Sequence, residues 1–444
     1  MIQLIRQLYL GKRFFWALLG IVLIFLFSFW FYILFPIGLF LACMLGVFFV
    51  VDFILLFGKK DGIKGSRTVP EKFSNGDANE VILWISNQYS FQVGLFILDE
   101  IPEQFQKRDF GFFTLLEPRK AIEEIYALTP THRGSYQFGS LHLFAVSPIA
   151  LLRRRYSLDG EHTVKVYPSF LQMRKYEFLA FTALKREFGL KKQKRIGQSR
   201  EFEQIKPYVL GDDLRHLNWK AAAKTGKLMT NHFQEEKSQP VYSVIDLGRV
   251  MKMPFNGLSL LDYAINSSLV FSNIALKNGD KAGLTTFSDQ IGPSCEATHR
   301  PTQLRLVMEL LYGIQTGFPE SDFGKLYSWA RKKLGQKSLL MIYTNFEHAG
   351  AMRRQLPFLK ALSRHHVVLV IFFENHILEE FAEQPASTLS EIVEKTIASK
   401  FLYDKRLIAK ELQRNGIQTI LTKPQDLTIQ TINKYLEIKE KGLI

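Results

Sequence analysis

The chain has 444 residues, of which 47% are hydrophobic and 22% are charged, enough for two or three domains with sizeable cores. This composition excludes bulk disorder, and two cysteines are too few for a disulfide scaffold and suit a reducing compartment. The 57 Lys and Arg outnumber the 42 Asp and Glu, and a net charge of +15 favours an anionic partner: lipid, nucleic acid or an acidic protein surface.

An apolar run extends over residues 14–57, and its only ionisable side chains are one aspartate and one tyrosine. A single membrane-spanning helix needs about 20 apolar residues, so the run is about twice the required length. Pro36 lies near its middle, where it would break a helix. We therefore expect a transmembrane helix hairpin, with helices at roughly Phe14–Leu34 and Ile37–Phe57.

Basic residues flank both ends of the run, at Lys12, Arg13, Lys59, Lys60, Lys64 and Arg67. Because positively charged flanks stay on the cytoplasmic side, both ends should be cytoplasmic. The sequence thus predicts an inner (cytoplasmic) membrane protein whose soluble part lies in the cytoplasm. Within the run, Asp52 is expected to be an interfacial acid beside Lys59 or Lys60.

Small residues recur every four positions in the second predicted helix, at Gly38, Ala42 and Gly46. Such a face lets helices approach closely, either within the hairpin or between copies of the chain.

Residues 66–170 alternate short runs of strand-forming residues with turn signals, which is typical of a β-sandwich. The predicted strands are Val81–Ile85, Val93–Leu98, Ala121–Leu128, Leu141–Val146 and Thr163–Tyr167. The section carries no metal-ligand spacing and is assigned a positioning or protein-contact role. Its basic triplet, residues 153–155, would either lean on anionic lipid or form a solvated face.

A predicted amphipathic helix, Leu171–Phe188, is followed by basic residues between Lys191 and Arg195. This run is a solvated linker, a contact with membrane or acidic protein, or a nucleic-acid site. No aromatic ladder, zinc-finger spacing or ribonucleoprotein motif accompanies it, so nucleic acid is not the expected partner.

Residues 197–236 contain about ten distinctive positions at fixed spacing, called here the signature segment. They include Gly211, Asp212, Arg215, Trp219, Lys220, Gly226, Glu235 and Glu236. The pattern resembles the central motif of the bacterial domain-of-unknown-function family 58. The resemblance implies a von Willebrand factor A-like domain after the motif, and partnership with MoxR-type AAA+ ATPases and transglutaminase-like proteins. The family's biochemical activity is poorly defined.

Considered apart from the family resemblance, the signature segment contains residues that commonly stabilise a fold. An aspartate at 212 or 213 could pair with Arg215, and Trp219 could pack under the alanine-rich helix that follows it. His216 and His232 flank the motif, but no serine or cysteine lies in an activated setting, as a nucleophilic enzyme would need. We therefore expect a docking or structural role, no catalytic residue and no enzyme activity.

From residue 241 onward, buried-type strands alternate with amphipathic helices, which predicts a doubly wound parallel sheet. The predicted strands are Val241–Ile245, Lys281–Phe287, Ser338–Tyr343, Val367–Phe373 and Ile417–Leu421. The predicted helices are Leu260–Leu276, Thr302–Tyr312, Phe323–Leu334, Ile392–Arg414 and Asp426–Lys439. No glycine-rich phosphate fingerprint follows the first strand, which argues against a nucleotide site.

The A-like resemblance also implies a metal crevice, where the family's first loop reads Asp-x-Ser-x-Ser. Here Asp246 remains, but both serines are lost, Ser321 replaces a threonine, and Asn345 replaces an aspartate. Because Mg²⁺ requires hard oxygen ligands including carboxylates, these changes should weaken binding severely. We therefore expect a degenerate site and no cofactor, with Mg²⁺ or Mn²⁺ as the alternative.

The predicted organisation is a helix hairpin at 1–60, a sandwich at 66–170, a linker with the signature segment at 171–239, and an A-like domain at 240–444. The leading hypothesis is a non-enzymatic, inner-membrane-anchored adaptor or scaffold that docks a MoxR-type AAA+ ATPase or its client. One alternative is a divalent-metal-dependent protein-binding module. Another is a membrane-tethered binder of anionic lipid or nucleic acid.

Overall fold

The computed structural model describes residues 7–107, 110–158, 160–171, 173, 201–209, 214–234, 238–386 and 388–444. The chain divides into two compact units, Met1–Tyr167 and Pro168–Ile444. Most of the predicted helix Leu171–Phe188, and all of the basic run Lys191–Arg195, lie outside the described residues.

A short strand, β1 (Leu8–Leu10), precedes two apolar helices, α1 (Lys12–Phe27) and α2 (Leu34–Phe57). The break between the helices comes at residues 28–33, earlier than expected. Pro36 was predicted to cause it, but Pro36 lies in the first turn of α2. A proline there loses no helical hydrogen bond, because first-turn N–H groups have no intrahelical partner.

Among the described helices, α2 alone is long and apolar enough, by length and composition, to cross a membrane. The predicted helix Phe14–Leu34 is replaced by the 16 residues of α1, fewer than the roughly 20 that a span requires. The small face of α2 packs toward α1: a Cβ on Gly38 would lie 3.0 Å from the ring of Phe25.

The remaining strands of the first unit form three sheets. Their bounds are β2 (Ile63–Thr68), β3 (Lys72–Ser74), β4 (Asn79–Asn87), β5 (Val93–Asp99), β6 (Gly111–Leu116), β7 (Ala121–Leu128), β8 (Gly134–Phe138), β9 (Leu141–Val146), β10 (Leu152–Leu158) and β11 (His162–Tyr167). The sheet orders are β1-β10-β9-β5-β6, β2-β4-β7 and β3-β11-β8. The first two sheets share one apolar core, in which Leu83 and Ile85 of β4 cluster with Leu95 and Leu143.

Both ends of the two-helix segment attach to β10. Before α1, β1 pairs antiparallel with β10, and the Gly11 N–H donates to the Leu151 carbonyl at 2.7 Å. At the end of α2, Asp52 is fully buried and accepts hydrogen bonds from the Ser147 hydroxyl and from the N–H groups of Leu151 and Leu152, at 2.9 and 2.8 Å. Asp52 is therefore not the expected interfacial acid beside Lys59 or Lys60, because three donors from the β9–β10 connection and the start of β10 surround its carboxylate.

Arg154 strengthens the same junction. Its guanidinium donates to the carbonyls of Leu56, Lys59 and Lys60 at 2.7, 2.6 and 2.9 Å. The side chain is buried and lies over the ring of Phe57. Of the basic triplet at 153–155, this middle member thus neither leans on lipid nor forms a solvated face. Alternation along β10 turns it inward, while its two neighbours are only partly buried.

The second unit contains the signature segment, of which residues 201–209 and 214–234 are described. Here β12 (Glu201–Pro207) pairs antiparallel with β13 (Met229–Gln234), and a short helix, α3 (Trp219–Thr225), lies between them. The Asn218 side chain caps α3 by accepting from the Ala221 N–H at 2.9 Å, and Gly226 ends it at a φ of 68°, where glycine is favoured.

The rest of the unit is a doubly wound sheet with the strand order β18-β17-β14-β19-β20-β21. All neighbouring pairs are parallel except β17 and β18. The strand bounds are β14 (Pro240–Asp246), β15 (Pro254–Phe255), β16 (Leu258–Ser259), β17 (Lys281–Phe287), β18 (Ile291–Thr298), β19 (Leu339–Tyr343), β20 (Val367–Phe373) and β21 (Gln418–Thr422), of which β15 and β16 form a separate small hairpin.

Helices cover both faces of this sheet. Their bounds are α4 (Leu260–Lys277), α5 (Gln303–Tyr312), α6 (Phe323–Lys333), α7 (Ala349–Ser363), α8 (His376–Glu383), α9 (Leu389–Arg414) and α10 (Leu427–Glu440). One apolar core joins the sheet to α4, α5 and α10, and the other joins it to α6, α7 and α9. The strand ends β14, β19 and β20 meet between these layers, where open α/β sheets place their ligand crevices.

Candidate functional site

Asp246 ends β14 at the carboxyl edge of the parallel sheet. Its side chain is fully buried, and burial raises the pKa of its carboxyl group. Oδ1 accepts from the Ser321 hydroxyl at 2.5 Å and from the Gly248 N–H at 2.8 Å, and Oδ2 accepts from the Thr344 hydroxyl at 2.6 Å. The carboxylate therefore joins the loops that follow β14 and β19 to the segment between α5 and α6.

Gly248 makes this arrangement sterically feasible. A Cβ at this position would lie 1.9 Å from the Ser321 Oγ and 2.9 Å from the Asp246 Oδ1. A serine, which the A-like metal motif has here, would therefore displace Ser321 from the carboxylate. The loss of the first motif serine is thus coupled to the close contact between Asp246 and Ser321.

The residues at this edge do not fit a magnesium site. The Asp246 oxygens already accept three hydrogen bonds from hydroxyl and backbone N–H groups. Among the described residues, no three His, Cys, Asp or Glu side chains group closely enough to hold a metal ion. Mg²⁺ binds octahedral sets of hard oxygens that include carboxylates, which this donor set does not supply.

Asn345 belongs to a different local network from Asp246 and Ser321. Its Oδ1 accepts from the Lys405 Nζ of α9 at 2.5 Å and from the Phe346 N–H at 3.1 Å. The structure therefore brings two of the three predicted metal residues together, and pairs the third with an ammonium group. A cation from the protein lies beside the position where the metal motif has an aspartate.

Lys405 lies on the wall of a cavity of about 250 Å³. Burial lowers the pKa of the Lys405 ammonium to about 8, while the nearby carboxylates of Glu347 and Glu374 partly oppose that effect. The apolar lining comes from the segment after β14, from the start of α4, from β20 and from helices α8 and α9: Met253, Phe255, Leu260, Phe373, Leu378 and Phe401. The charged groups of the lining are Lys405, Glu347 and Glu374, so the ammonium lies in a mainly apolar space with two carboxylates at its wall.

The signature residues do not form a buried site. Trp219 was expected to pack under the alanine-rich helix, but it is the first residue of α3 and its exposed fraction is 69%. All seven residues of α3 are partly or fully exposed, so the helix has no buried face. Arg215, Lys220 and Gly226 are exposed too, and four predicted signature residues lie outside the described part of the chain: Gly211, Asp212, Glu235 and Glu236.

A protein-family model matches part of the second unit. Residues 204–377 match the family model described as "Protein of unknown function DUF58". The uncharacterized protein YeaD of Bacillus subtilis (strain 168) is 25% identical over 174 residues, which are 39% of this chain and 41% of YeaD. The chain thus spans about two-fifths of the length of this curated relative.

Solved structures resemble parts of the chain only weakly. The SpRpn10 VWA domain has a TM-score of 0.28 and 11% identity, and covers 44% of this chain and 95% of its own. The CARDB domain of PF1109 from Pyrococcus furiosus has a TM-score of 0.18 and 13% identity, covering 24% and 93%. A human CEP192 PapD-like domain has a TM-score of 0.19 and 13% identity, covering 24% and 87%. TM-scores this low carry no argument about this chain.

Sequence reasoning missed Lys405, and it aligned Thr344-Asn345 with the motif's strand-end pair without giving Thr344 a role of its own. Thr344 directly precedes Asn345 at the end of β19, so its proximity to Asp246 follows from the parallel pairing of β14 and β19. Lys405 lies in the middle of α9, one of several lysines there, and no local pattern distinguishes it.

Proposed function

We propose that the protein is a non-enzymatic adaptor, anchored in the inner membrane, whose cytoplasmic part docks a MoxR-type AAA+ ATPase or its client. The observation that carries the proposal is the exposed apolar surface of the signature segment. Trp219, Leu214 and Leu228 have exposed fractions of 69%, 66% and 49%. Large exposed apolar side chains close together in sequence are typical of protein-binding surfaces.

The charges around Trp219 favour an acidic partner surface. The exposed residues Lys220, Lys224 and Lys227 lie in or just after α3. A tryptophan bordered by basic side chains suits a partner that presents an apolar pocket with an acidic rim. The choice of a MoxR-type ATPase rests on the family resemblance, and the match over residues 204–377 supports looking for that partner first.

The membrane hairpin rests on the geometry of the first unit. Strand β1 and residues 52–60 both contact β10, so the two-helix segment starts and ends at the same sheet. Helix α2 is long enough to span and α1 is shorter. We propose that the pair enters the bilayer as one hairpin with both flanks on the cytoplasmic side, a topology that the basic residues at both flanks support.

We further propose that residues 240–444 form an A-like domain that works without a divalent metal. The proposal is supported by the surroundings of Asp246, because hydroxyl and backbone N–H groups already donate hydrogen bonds to both oxygens of its carboxylate. No specific observation favours the metal-dependent module. The nucleic-acid alternative depends on Lys191–Arg195, outside the described residues.

The test is affinity capture of the tagged full chain from native membranes, with mass spectrometry as the readout. We expect wild type to recover an AAA+ ATPase and Trp219→Ala to recover at least about tenfold less, since central tryptophans dominate binding energy. The matched control is Trp84→Ala, which removes a 41% exposed tryptophan from β4 in the other unit.

Recovery of no ATPase, or equal recovery by Trp219→Ala and wild type, would overturn the docking proposal. Metal dependence is tested separately, on the purified chain, because the ATPase's own Mg²⁺-nucleotide complicates capture with a chelator. We expect the unfolding temperature of the purified chain to be the same in millimolar Mg²⁺ and in chelator.

A further inference from the structure

A lysine ammonium has three N–H donors, and the described residues account for one of them at Lys405. The Nζ donates to the Asn345 Oδ1 at 2.5 Å, and no carboxylate of the described chain lies within ion-pair distance of it. The ammonium therefore has unused donors at the wall of an apolar cavity, where an incoming acceptor would satisfy them.

Lys405 is the basic residue among the described residues that line the cavity, and each carboxylate near it is either paired with another cation or exposed to water. Glu374 follows β20 and its carboxylate lies 3.9 Å from the Arg406 Nε, which offsets its charge. Glu347 follows β19 and is exposed, so water screens it. Glu379 of α8, in turn, pairs with Lys423 at 3.1 Å.

We propose that this cavity binds a carboxylate carried on an apolar group, with the carboxylate on Lys405 and the apolar group against Phe255, Phe373 and Phe401. A carboxylate suits the two unused donors, and an ion pair gains strength in an apolar environment. A phosphate has more oxygens than this lining could satisfy. The carboxylate could come from a small apolar acid or from an acidic side chain in a peptide, and the experiment separates these sources.

This binding site extends the function beyond the docking surface at Trp219, and it needs no AAA+ partner. Failure of the capture experiment would therefore leave it standing, and its own failure would leave the adaptor role standing.

The experiment measures binding to the purified full chain in nanodiscs of zwitterionic lipid, by saturation-transfer NMR and calorimetry. The small probe is 3-phenylpropionate, and its neutral control is 3-phenylpropionamide. The peptide probe is acetyl-Leu-Glu-Phe-amide, and its control carries Gln in place of Glu. We expect at least one acid to bind at least about tenfold more tightly than its amide, and the tighter acid identifies the source.

Two substitutions at the cavity test the ammonium. Lys405→Met keeps the length of the side chain and should lower the affinity for the acid at least about tenfold. Asn345→Asp places an internal carboxylate against the ammonium and should lower it as well. The matched control, Lys410→Met, removes an exposed lysine of the same helix and should leave binding unchanged.

The pH profile of wild type needs no variant. Affinity for the acid should fall as the pH rises above about 8, because the ammonium that pairs with it loses its proton. Equal binding of acids and amides, no binding of either acid, or full affinity in Lys405→Met would each overturn the proposal.

Discussion

Two charged side chains in this chain, Asp52 and the partly buried Lys405, have different surroundings. Asp52 lies where helix α2 meets strand β10, and three donors from the β9–β10 connection and the start of β10 surround its carboxylate. Lys405 lies at the carboxyl edge of the parallel sheet, next to a cavity, and has one acceptor among the described residues. A charge whose partners are all built in holds the fold together, whereas a charge with unused donors beside a cavity is suited to a ligand.

The difference also predicts how each charge contributes to stability. Removing Asp52 leaves three buried donors unpaired, so the fold should lose stability. Removing the charge of Lys405 abolishes a desolvation cost, so the fold should gain stability. Three substitutions test this contrast.

The largest expected effect is that of Asp52→Ala. Without the carboxylate, the N–H groups of Leu151 and Leu152 lose their acceptor, and the junction should lose about 3–5 kcal/mol. Hydrogen exchange read by mass spectrometry should show amide exchange at the start of β10 speeding up by about 100-fold or more. Asp52→Asn keeps one acceptor oxygen and should have a smaller effect. Unchanged exchange in the alanine variant would contradict the claim that Asp52 stabilises the junction between α2 and β10.

The second effect has the opposite sign and depends on pH. The pKa of Lys405 is about 8 in the folded chain and 10.5 ordinarily, so the unfolded chain holds the proton more tightly. The cost to stability is therefore complete below pH 8 and disappears as the pH rises toward 10.5. Lys405→Met should stabilise the second unit by up to about 3 kcal/mol at pH 7 and by nearly nothing at pH 10.5.

Denaturant unfolding followed by Trp329 fluorescence, in a background in which the other four tryptophans are replaced by phenylalanine, measures this difference, since Trp329 packs against Tyr242 of β14. Lys410→Met serves as the control and should track wild type at both pH values. A gain in Lys405→Met that does not change between pH 7 and 10.5 would mean that packing, and not charge, is responsible.

The smallest effect should come from Arg353→Ala. Arg353 of α7 pairs with Glu411 of α9 at 3.0 Å, and the Arg353 side chain is 65% exposed. Exposed ion pairs contribute little because water already solvates both charges. We expect the unfolding temperature to change by less than about 2 °C, and the change to vanish in molar salt. A larger change would show that water does not screen this pair.

Periodicity predicted much of the second unit because its strands are buried on both faces. Strands Lys281–Phe287 and Val367–Phe373 have the predicted bounds. Strand β18 was missed, since Gly292 and Pro293 are depleted in strands and are tolerated there because β18 lies at the sheet edge. Helix α7 was missed as well; it contains Pro357 and few buried residues.

The sites were harder to predict than the strands. Asp246 and Ser321 lie in contact, and the family motif had assigned both residues to the same crevice. The partners of Asp52 and Lys405 lie about 100 and 60 residues away in the chain. No local pattern records such distant pairings, which arise only when the sheets form.

Because strand β1 pairs with β10, it must wait for a much later part of the chain before its sheet can form. Leu10 leaves the ribosome before its pairing partner, Leu152, which follows about 140 residues later. At roughly 5–20 residues per second, the two are separated by about 7–30 s. The five-stranded sheet can therefore be completed only after both apolar helices have been synthesised. Its first strand in sequence is thus among the last to pair, and a nascent chain stopped before residue 152 would lack this closure.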